Sequence, residues 1–132
     1  SGHPLDEFQF ELNQFCNVTI EELKQDLKQF KGKEVTFAGI IIEANHKIGK
    51  TGKPYGSFVL EDYFNFISLT VFSEEYLKWK HLLAEGQYVF LKARIESRFD
   101  NPDQLVIRIN QVFLLAEVME KFSKIISQHI NL

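Results

Sequence analysis

A chain of 132 residues with 45% hydrophobic content buries one core and hardly two, which implies a single domain with decorated ends. Its formal charge of -3 excludes a strongly basic nucleic-acid protein, because phosphate binding normally shows as excess Lys and Arg, so any such site has to be local. The single cysteine, Cys16, excludes an internal disulfide and a cysteine-pair metal site, and no apolar run approaches the roughly 18 residues that span a bilayer; a reduced cytoplasm is the expected setting.

In chain order, Ser1-Gly2 reads as a cloning remnant, which makes a piece of something longer the expectation. Leu5, Phe8, Phe10, Leu12 and Phe15 then lie among polar residues with a period mixed between helix and extended. Asn17-Val18-Thr19 matches a glycosylation acceptor by coincidence, since no secretion signal accompanies it. Thr19 with Glu22 makes a capping box, and Ile20, Leu23, Leu27 and Phe30 recur at helical spacing up to Gly32, which predicts a helix from Ile20 to about Phe30. Five strands follow: Glu34 to Asn45, Tyr55 to Asp62, Phe66 to Phe72, Tyr88 to Ser97 and Leu105 to Phe113. Each is rich in Val, Ile, Phe and Tyr, and Gly49, Gly52-Lys53-Pro54, Gly86 and Asp100-Asn101-Pro102 supply the turns. Between the third and fourth, Ser73 is placed to cap a helix with Tyr76, Leu77, Trp79 and Leu83 as its apolar stripe, ending near Gly86. Val118, Phe122 and Ile125 keep helical spacing for about two turns, and Ile126, Gln128, Ile130 and Leu132 alternate like a strand, a tail expected to lead into a further domain.

That order of elements is an all-β core with helices, the five-stranded Greek-key barrel of an OB-fold, with a helix before it and a helix between strands 3 and 4. The division expected is 1–32 for the N-terminal extension and helix, 33–115 for the barrel and 116–132 for the tail. Gly39, inside the run Phe37-Ala38 and Ile40-Ile41-Ile42, suits the bend by which the first strand serves both halves. Phe58 and Leu60, with Ile67, Leu69 and Val71, form the all-apolar set that faces inward; Tyr55, Ser57, Val59, Phe66, Ser68 and Thr70 are left on the outer face, the usual ligand face of this fold. Thirteen Phe exceed what a small barrel needs, so some are expected on a surface where rings stack on bases, although for any single ring a place in the core is the commoner outcome.

The candidate binding residues follow from this layout. The loop from His46 to Lys53 carries Lys47, Lys50 and Lys53, which can track a phosphate backbone while Tyr55 and Phe66 stack on bases, with Ser57 and Ser68 between them and Arg98 and Phe99 closing the other side from the loop between strands 4 and 5. The competing reading is a solvated hairpin loop. Gly49-Lys50-Thr51 resembles the end of a phosphate-binding loop, but Ala44 stands where the first glycine belongs and a strand follows where a helix is needed. Glu61 and Asp62 point to opposite faces and do not share a metal; they read as turn residues before Tyr63. His3, His46, His81 and His129 lie in different elements without ligand spacing. No catalytic constellation and no cofactor site is expected.

Longer motifs carry a family resemblance. His3-Pro4-Leu5-Asp6-Glu7-Phe8, Val35-Thr36-Phe37-Ala38-Gly39-Ile40-Ile41, the run from Lys50 to Asp62, and Val71-Phe72 with Tyr76 and Leu83 are similar to the OB-fold region in the C-terminal part of the bacterial DNA polymerase III alpha subunit, the C-family replicative polymerases. The hairpin pattern is shared with anticodon-binding domains of aminoacyl-tRNA synthetases, and the His-Pro-Leu prefix and tail favour the polymerase. The resemblance implies a parent that is a DNA-directed DNA polymerase, a nucleotidyltransferase whose metal-bound carboxylates lie in a separate domain. It implies a non-catalytic module here that binds single-stranded template during DNA replication, as a monomeric piece beside other polymerase domains, with clamp and clamp-loader subunits as further partners. A tRNA anticodon-binding domain, or an interaction module without nucleic-acid binding, are the alternatives. The departure is charge: family members often carry more Arg in the hairpin and on strand four, where this chain has Lys92, Arg94 and Arg98.

Overall fold

The computed structural model describes residues 16–98 and 100–121. Five strands, β1 (Glu34–Ile48), β2 (Pro54–Glu61), β3 (Phe66–Phe72), β4 (Tyr88–Ser97) and β5 (Leu105–Leu114), form an antiparallel sheet in the order β3-β2-β1-β4-β5. β1 belongs to both halves of the sheet: Glu34 to Ile40 pair with β4, and Ile40 to Ile48 pair with β2. The sheet therefore curls around Phe37, Ile41, Phe58, Leu60, Leu91 and Ile95, as the expected order of strands and helix requires. The cavity left among Ile41, Phe58, Leu60, Leu69 and Leu91 is only about 10 Å³, too small for a ligand.

Two irregularities shape β1. The change of partner falls at Ile40, beside Gly39, where a Cβ would stand 2.4 Å from the Glu61 carbonyl oxygen on β2. A bulge follows, with the register shifting between Ile41 and Glu43. The extra residue, Ile42, changes the parity of the strand. Val35, Phe37 and Ile41 are buried before it, whereas Ala44 packs on the core after it, and Glu43, Asn45 and Lys47 stand on the outside.

Helix α1 (Ile20–Gln25) starts with the expected capping box: Glu22 N–H donates to Thr19 Oγ1 at 3.2 Å, and Thr19 N–H donates to Glu22 Oε1 at 3.1 Å. The single helix predicted as far as Phe30 breaks at Asp26, whose extended φ of -153 ends α1, and Leu27–Phe30 continue as a 3-10 turn. Ile20 and Leu23 are fully buried, so α1 contributes to the barrel core. Asp62 ties it down: one carboxylate oxygen accepts from Ile20 N–H at 3.0 Å and the other from Phe64 and Asn65 N–H, the turn role expected of it. Asn17 docks on β1, accepting from Thr36 N–H at 2.8 Å and donating to the Glu34 carbonyl, so its amide has a structural partner.

Helix α2 (Ser73–Trp79) follows β3 and runs into a 3-10 turn at Lys80–Leu82. Two expectations are corrected here. Phe72, not Ser73, occupies the cap position, no side chain caps the helix, and Ser73 itself takes a left-handed φ of 48 at the corner. Leu77 is 53% exposed, because the inward stripe of this short helix is set by the buried Tyr76 and by Trp79, one turn apart, and Leu77 lies a step round from it. Trp79 Nε1 donates to the carbonyl of Asn110, beside the irregularity at which β5 shifts register against Lys92 and Ala93.

A second apolar cluster covers the other side of β1 and β4, with Ala38, Phe90 and Leu115 buried beside Tyr63, Phe113 and Met119. Residues 115–121 are helical. The mixed period from Leu5 to Phe15 and the alternation from Ile126 to Leu132 lie outside the described residues.

The hydroxyl of Tyr76 lies 2.6 Å from His46 Nδ1 and joins α2 to the far end of β1. Removing a buried partner of this kind typically costs on the order of 1 kcal/mol. Tyr76→Phe is expected to lower the melting temperature by roughly 3 °C, as followed by circular dichroism. An unchanged melting temperature would mean that the bond contributes nothing to holding β1.

Candidate nucleic-acid interface

The expected loop from His46 to Lys53 is shorter than its sequence suggests. β1 continues through His46, Lys47 and Ile48, and β2 begins at Pro54. Gly49 N–H donates to the Lys53 carbonyl at 2.8 Å and Gly52, at a left-handed φ of 80, donates to the Gly49 carbonyl at 3.0 Å, so the turn is closed by its own backbone. It leads into a strand, which removes the helix N-terminus that a phosphate-binding loop requires. Lys50 and Lys53 are exposed around this turn, while Lys47 stands on the strand directly opposite Tyr55.

Cross-strand pairing then sets out the outer face in rows. Lys47, Tyr55 and Phe72 lie side by side across β1, β2 and β3; next come Asn45, Ser57 and Thr70; then Glu43, Val59 and Ser68. In the first row the rings of Tyr55 and Phe72 stack, with centroids 5.7 Å apart and planes 27° from parallel. Phe72 is 61% exposed, so the stacked pair presents an aromatic surface next to the ammonium of Lys47.

Phe66 is on the same face but at its other end. It pairs with Glu61, six positions before Phe72, which places it about 20 Å from the Tyr55 row at some 3.3 Å per residue. Lys24 lies over one face of its ring, with Nζ 4.6 Å from the centroid and donating to the Phe66 carbonyl and to Asn65 Oδ1, both at 2.9 Å, and Phe66 stays 55% exposed. The structure thus brings Tyr55 together with Phe72 and separates it from Phe66. The alternation Phe66, Ser68, Thr70, Phe72 carries the signal for Phe72, which the expected outer face, ending at Thr70, left out.

The remaining candidates border this face. A groove of about 770 Å³ opens between β3 and β5, which no backbone hydrogen bond joins among the described residues; Ser68, Thr70 and Phe72 form one wall and Arg98, Leu105 and Arg108 the other. Arg98 is held over the β4–β5 turn by Asp100 at 3.1 Å and Gln104 at 3.2 Å, and Arg108 pairs with Glu96 at 3.2 Å. Exposed ion pairs of this kind are worth about 0 to 1 kcal/mol, so a phosphate can exchange for the carboxylate. Phe99 lies outside the described residues. Lys92 and Arg94 serve the scaffold, Lys92 over the Phe113 ring at 6.0 Å and Arg94 donating to the Gly32 carbonyl at 3.2 Å.

Among the described residues no three His, Cys, Asp or Glu side chains gather as a metal site, and no helix is long and apolar enough to cross a membrane. The Cys16 thiol is pushed up to about 12 by burial and by the Asp62 carboxylate, so it remains protonated at neutral pH.

A filled five-stranded barrel with a basic hairpin, a stacked aromatic pair and a polar strand face defines an OB-fold of the nucleic-acid-binding class. The profile of the OB-fold nucleic acid binding domain family matches residues 35–115, and the chain belongs to that family. Among curated proteins it is similar to the DNA polymerase III subunit alpha of Helicobacter pylori strain J99, 35% identical over 103 residues covering 74% of this chain. It is likewise similar to that of Borreliella burgdorferi, 27% identical over 118 residues and 89% of this chain, and to that of Escherichia coli O157:H7, 23% identical over 124 residues and 94% of it. The chain spans 8% of the first of these and 10% of the other two. The expected resemblance to this family of polymerase subunits is thereby shown. Among solved structures, asparaginyl-tRNA synthetase from Pyrococcus horikoshii matches with a TM-score of 0.51 at 18% identity, over 74% of this chain and 22% of that one. RecG bound to a three-way DNA junction matches with a TM-score of 0.50 at 20% identity, over 76% of this chain and 14% of that one. Both show the fold alone.

Proposed function

We propose that this chain is a non-catalytic module of a bacterial replicative polymerase of the DNA polymerase III alpha type, and that it holds single-stranded DNA in the cytoplasm during replication. The observation that carries the reading is the row Lys47, Tyr55 and Phe72: a cation beside two stacked, solvent-facing rings on the ligand face of an OB-fold. Residues 33–115 form the binding domain in this reading, with Lys50 and Lys53 on the hairpin and Arg98 across the groove meeting phosphates, and Ser57 and Ser68 lining the path between. Because the net charge is -3, attraction comes from these few side chains and binding is weak. The polymerase context rests on the curated relatives, which match over most of this chain. The synthetase alternative has less support, since that likeness reaches the fold only.

The test is a fluorescence anisotropy titration of labelled oligo-dT, the matching duplex and an anticodon stem-loop RNA at two salt concentrations. Oligo-dT should bind best, with a log-log salt slope of about 0.7 for each neutralised phosphate, so roughly 2 to 3 for three or four cationic contacts. Replacing Lys47, Lys50 and Lys53 together with Glu should weaken binding to every sequence and flatten that slope, because phosphate contacts carry no base information. Tighter binding of the RNA would favour the anticodon reading. No binding of any probe at low salt would favour an interaction module.

A further inference from the structure

We infer that the stacked pair holds a single base, on the groove side of Phe72, and that Tyr55 carries no base but backs the Phe72 ring. The inference rests on the nucleic-acid reading above and deepens it by naming the surface that meets the ligand. Two rings stacked on each other leave one free face each. Tyr55 and Phe72, with centroids 5.7 Å apart and planes 27° from parallel, turn their other faces to opposite sides of the pair. The second side of Tyr55 lies toward β1, where Lys47 is its cross-strand partner and where a Cβ on Gly49 would stand 3.9 Å from two atoms of the ring. The hairpin takes that side, and Tyr55 is accordingly half-buried. Phe72 differs because β3 is the edge of the sheet, with β2 as its one hydrogen-bonded neighbour among the described residues. Its ring is 61% exposed and lines the groove that separates β3 from β5.

Charge orients the nucleotide in that groove. Glu75 borders it on the wall of Phe72 and Ser73, whereas Arg98 and Arg108 stand on the opposite wall. A base on Phe72 directs its phosphate toward the arginines and away from the Glu75 carboxylate; the reverse orientation sets phosphate against carboxylate and leaves the ring unused. Thr70, the next outward residue on β3, offers a hydroxyl that both donates and accepts, so the subsite tolerates any base. Tyr55 is then a positioning residue. Its ring holds Phe72 in place before the ligand arrives and spares the ordering that an exposed side chain otherwise undergoes on binding.

Photo-cross-linking tests this on the unaltered chain. Oligo-dT carrying one 5-iododeoxyuridine, irradiated in the complex, joins to a ring in stacking contact, and mass spectrometry of the digested protein identifies that ring. The adduct should fall on Phe72. An adduct on Tyr55, or on Phe64 or Phe66 at the far end of β3, would overturn the inference and leave the nucleic-acid reading standing. Anisotropy titrations give the second readout. Phe72→Ala should weaken oligo-dT binding by about 5- to 150-fold, the worth of one stacked base, and Phe72→Leu, which keeps an apolar side chain against Tyr55, should lose as much. Tyr55→Phe keeps the backing ring and should stay within about twofold, whereas Tyr55→Ala should lose about 2- to 12-fold, the contribution of an aromatic pair. A Tyr55→Ala loss greater than that of Phe72→Ala would mean that Tyr55 carries the base, and the inference fails. Wild-type protein that binds no oligonucleotide at low salt would overturn the reading and the inference together. The cross-link on the unaltered chain and the Phe72→Leu variant keep the outcome independent of any loss of folding.

Discussion

Gly39→Ala is expected to destabilise the domain by about 3 kcal/mol, the upper end of what overpacking costs in a close-packed interior. The added Cβ would stand 2.4 Å from the Glu61 carbonyl oxygen, 3.0 Å from the carbon it belongs to and 3.0 Å from Leu60 Cγ. None of these can yield locally. The carbonyl belongs to the backbone of β2 where Ile40 pairs with Glu61, and Leu60 is fully buried in the core. Relief requires β1 and β2 to separate at the point where β1 passes from pairing with β4 to pairing with β2. The gain from restricting the unfolded chain, about 0.4 to 1 kcal/mol, opposes this and is too small to offset it. Gly49→Ala is the control: its nearest contact would be the Lys53 carbonyl at 3.3 Å on an exposed hairpin, and the change should stay within about 1 kcal/mol. Urea denaturation of the two variants decides the matter. If Gly39→Ala unfolds at the wild-type midpoint, the close approach of β1 to β2 is absent in solution.

The architecture was legible because each of its signals is local. Alternation in β2 and β3 places Phe58, Leu60, Leu69 and Val71 inside, and Thr19 with Glu22 marks the start of α1; all of this needs only a period or a cap. The lysines were legible as residues but not as positions. Nothing in the run Ile40-Ile41-Ile42 announces a bulge, yet the bulge decides that Lys47, and with it Glu43, stands on the ligand face instead of pointing into the barrel. The hairpin hid its length in the same way, because His46, Lys47 and Ile48 form a strand only through pairing with Pro54, Tyr55 and Gly56, and that partnership is not written in their propensities. Phe66 illustrates a third limit. Its outward direction follows from period 2, but the Lys24 ammonium over its ring comes from a helix some forty residues earlier, a contact that only the tertiary fold creates.

The largest expected loss of binding comes from the stacked pair. Each base stacked on an aromatic side chain is worth about 1 to 3 kcal/mol, so Tyr55→Ala with Phe72→Ala should weaken oligo-dT binding by about 5- to 150-fold for one stacked base, and by more if both rings carry one. The salt slope should stay near its wild-type value, since no cation is removed and the counterions released are the same. Stability should fall only modestly: Phe72 is largely exposed, and an aromatic pair contributes about 0.5 to 1.5 kcal/mol beyond its burial, a few degrees in melting temperature for a domain of this size. Phe66→Ala supplies the contrast within the same strand. Phe66 lies at the other end of the strand with Lys24 over one face of its ring, so binding should change by less than about twofold if stacking is confined to the Lys47 row. Should Phe66→Ala cost as much as Phe72→Ala, the strand runs the full length of β2 and β3 and passes Glu43. Should the double variant bind as wild type does, the Tyr55 and Phe72 rings stack on one another and on nothing else.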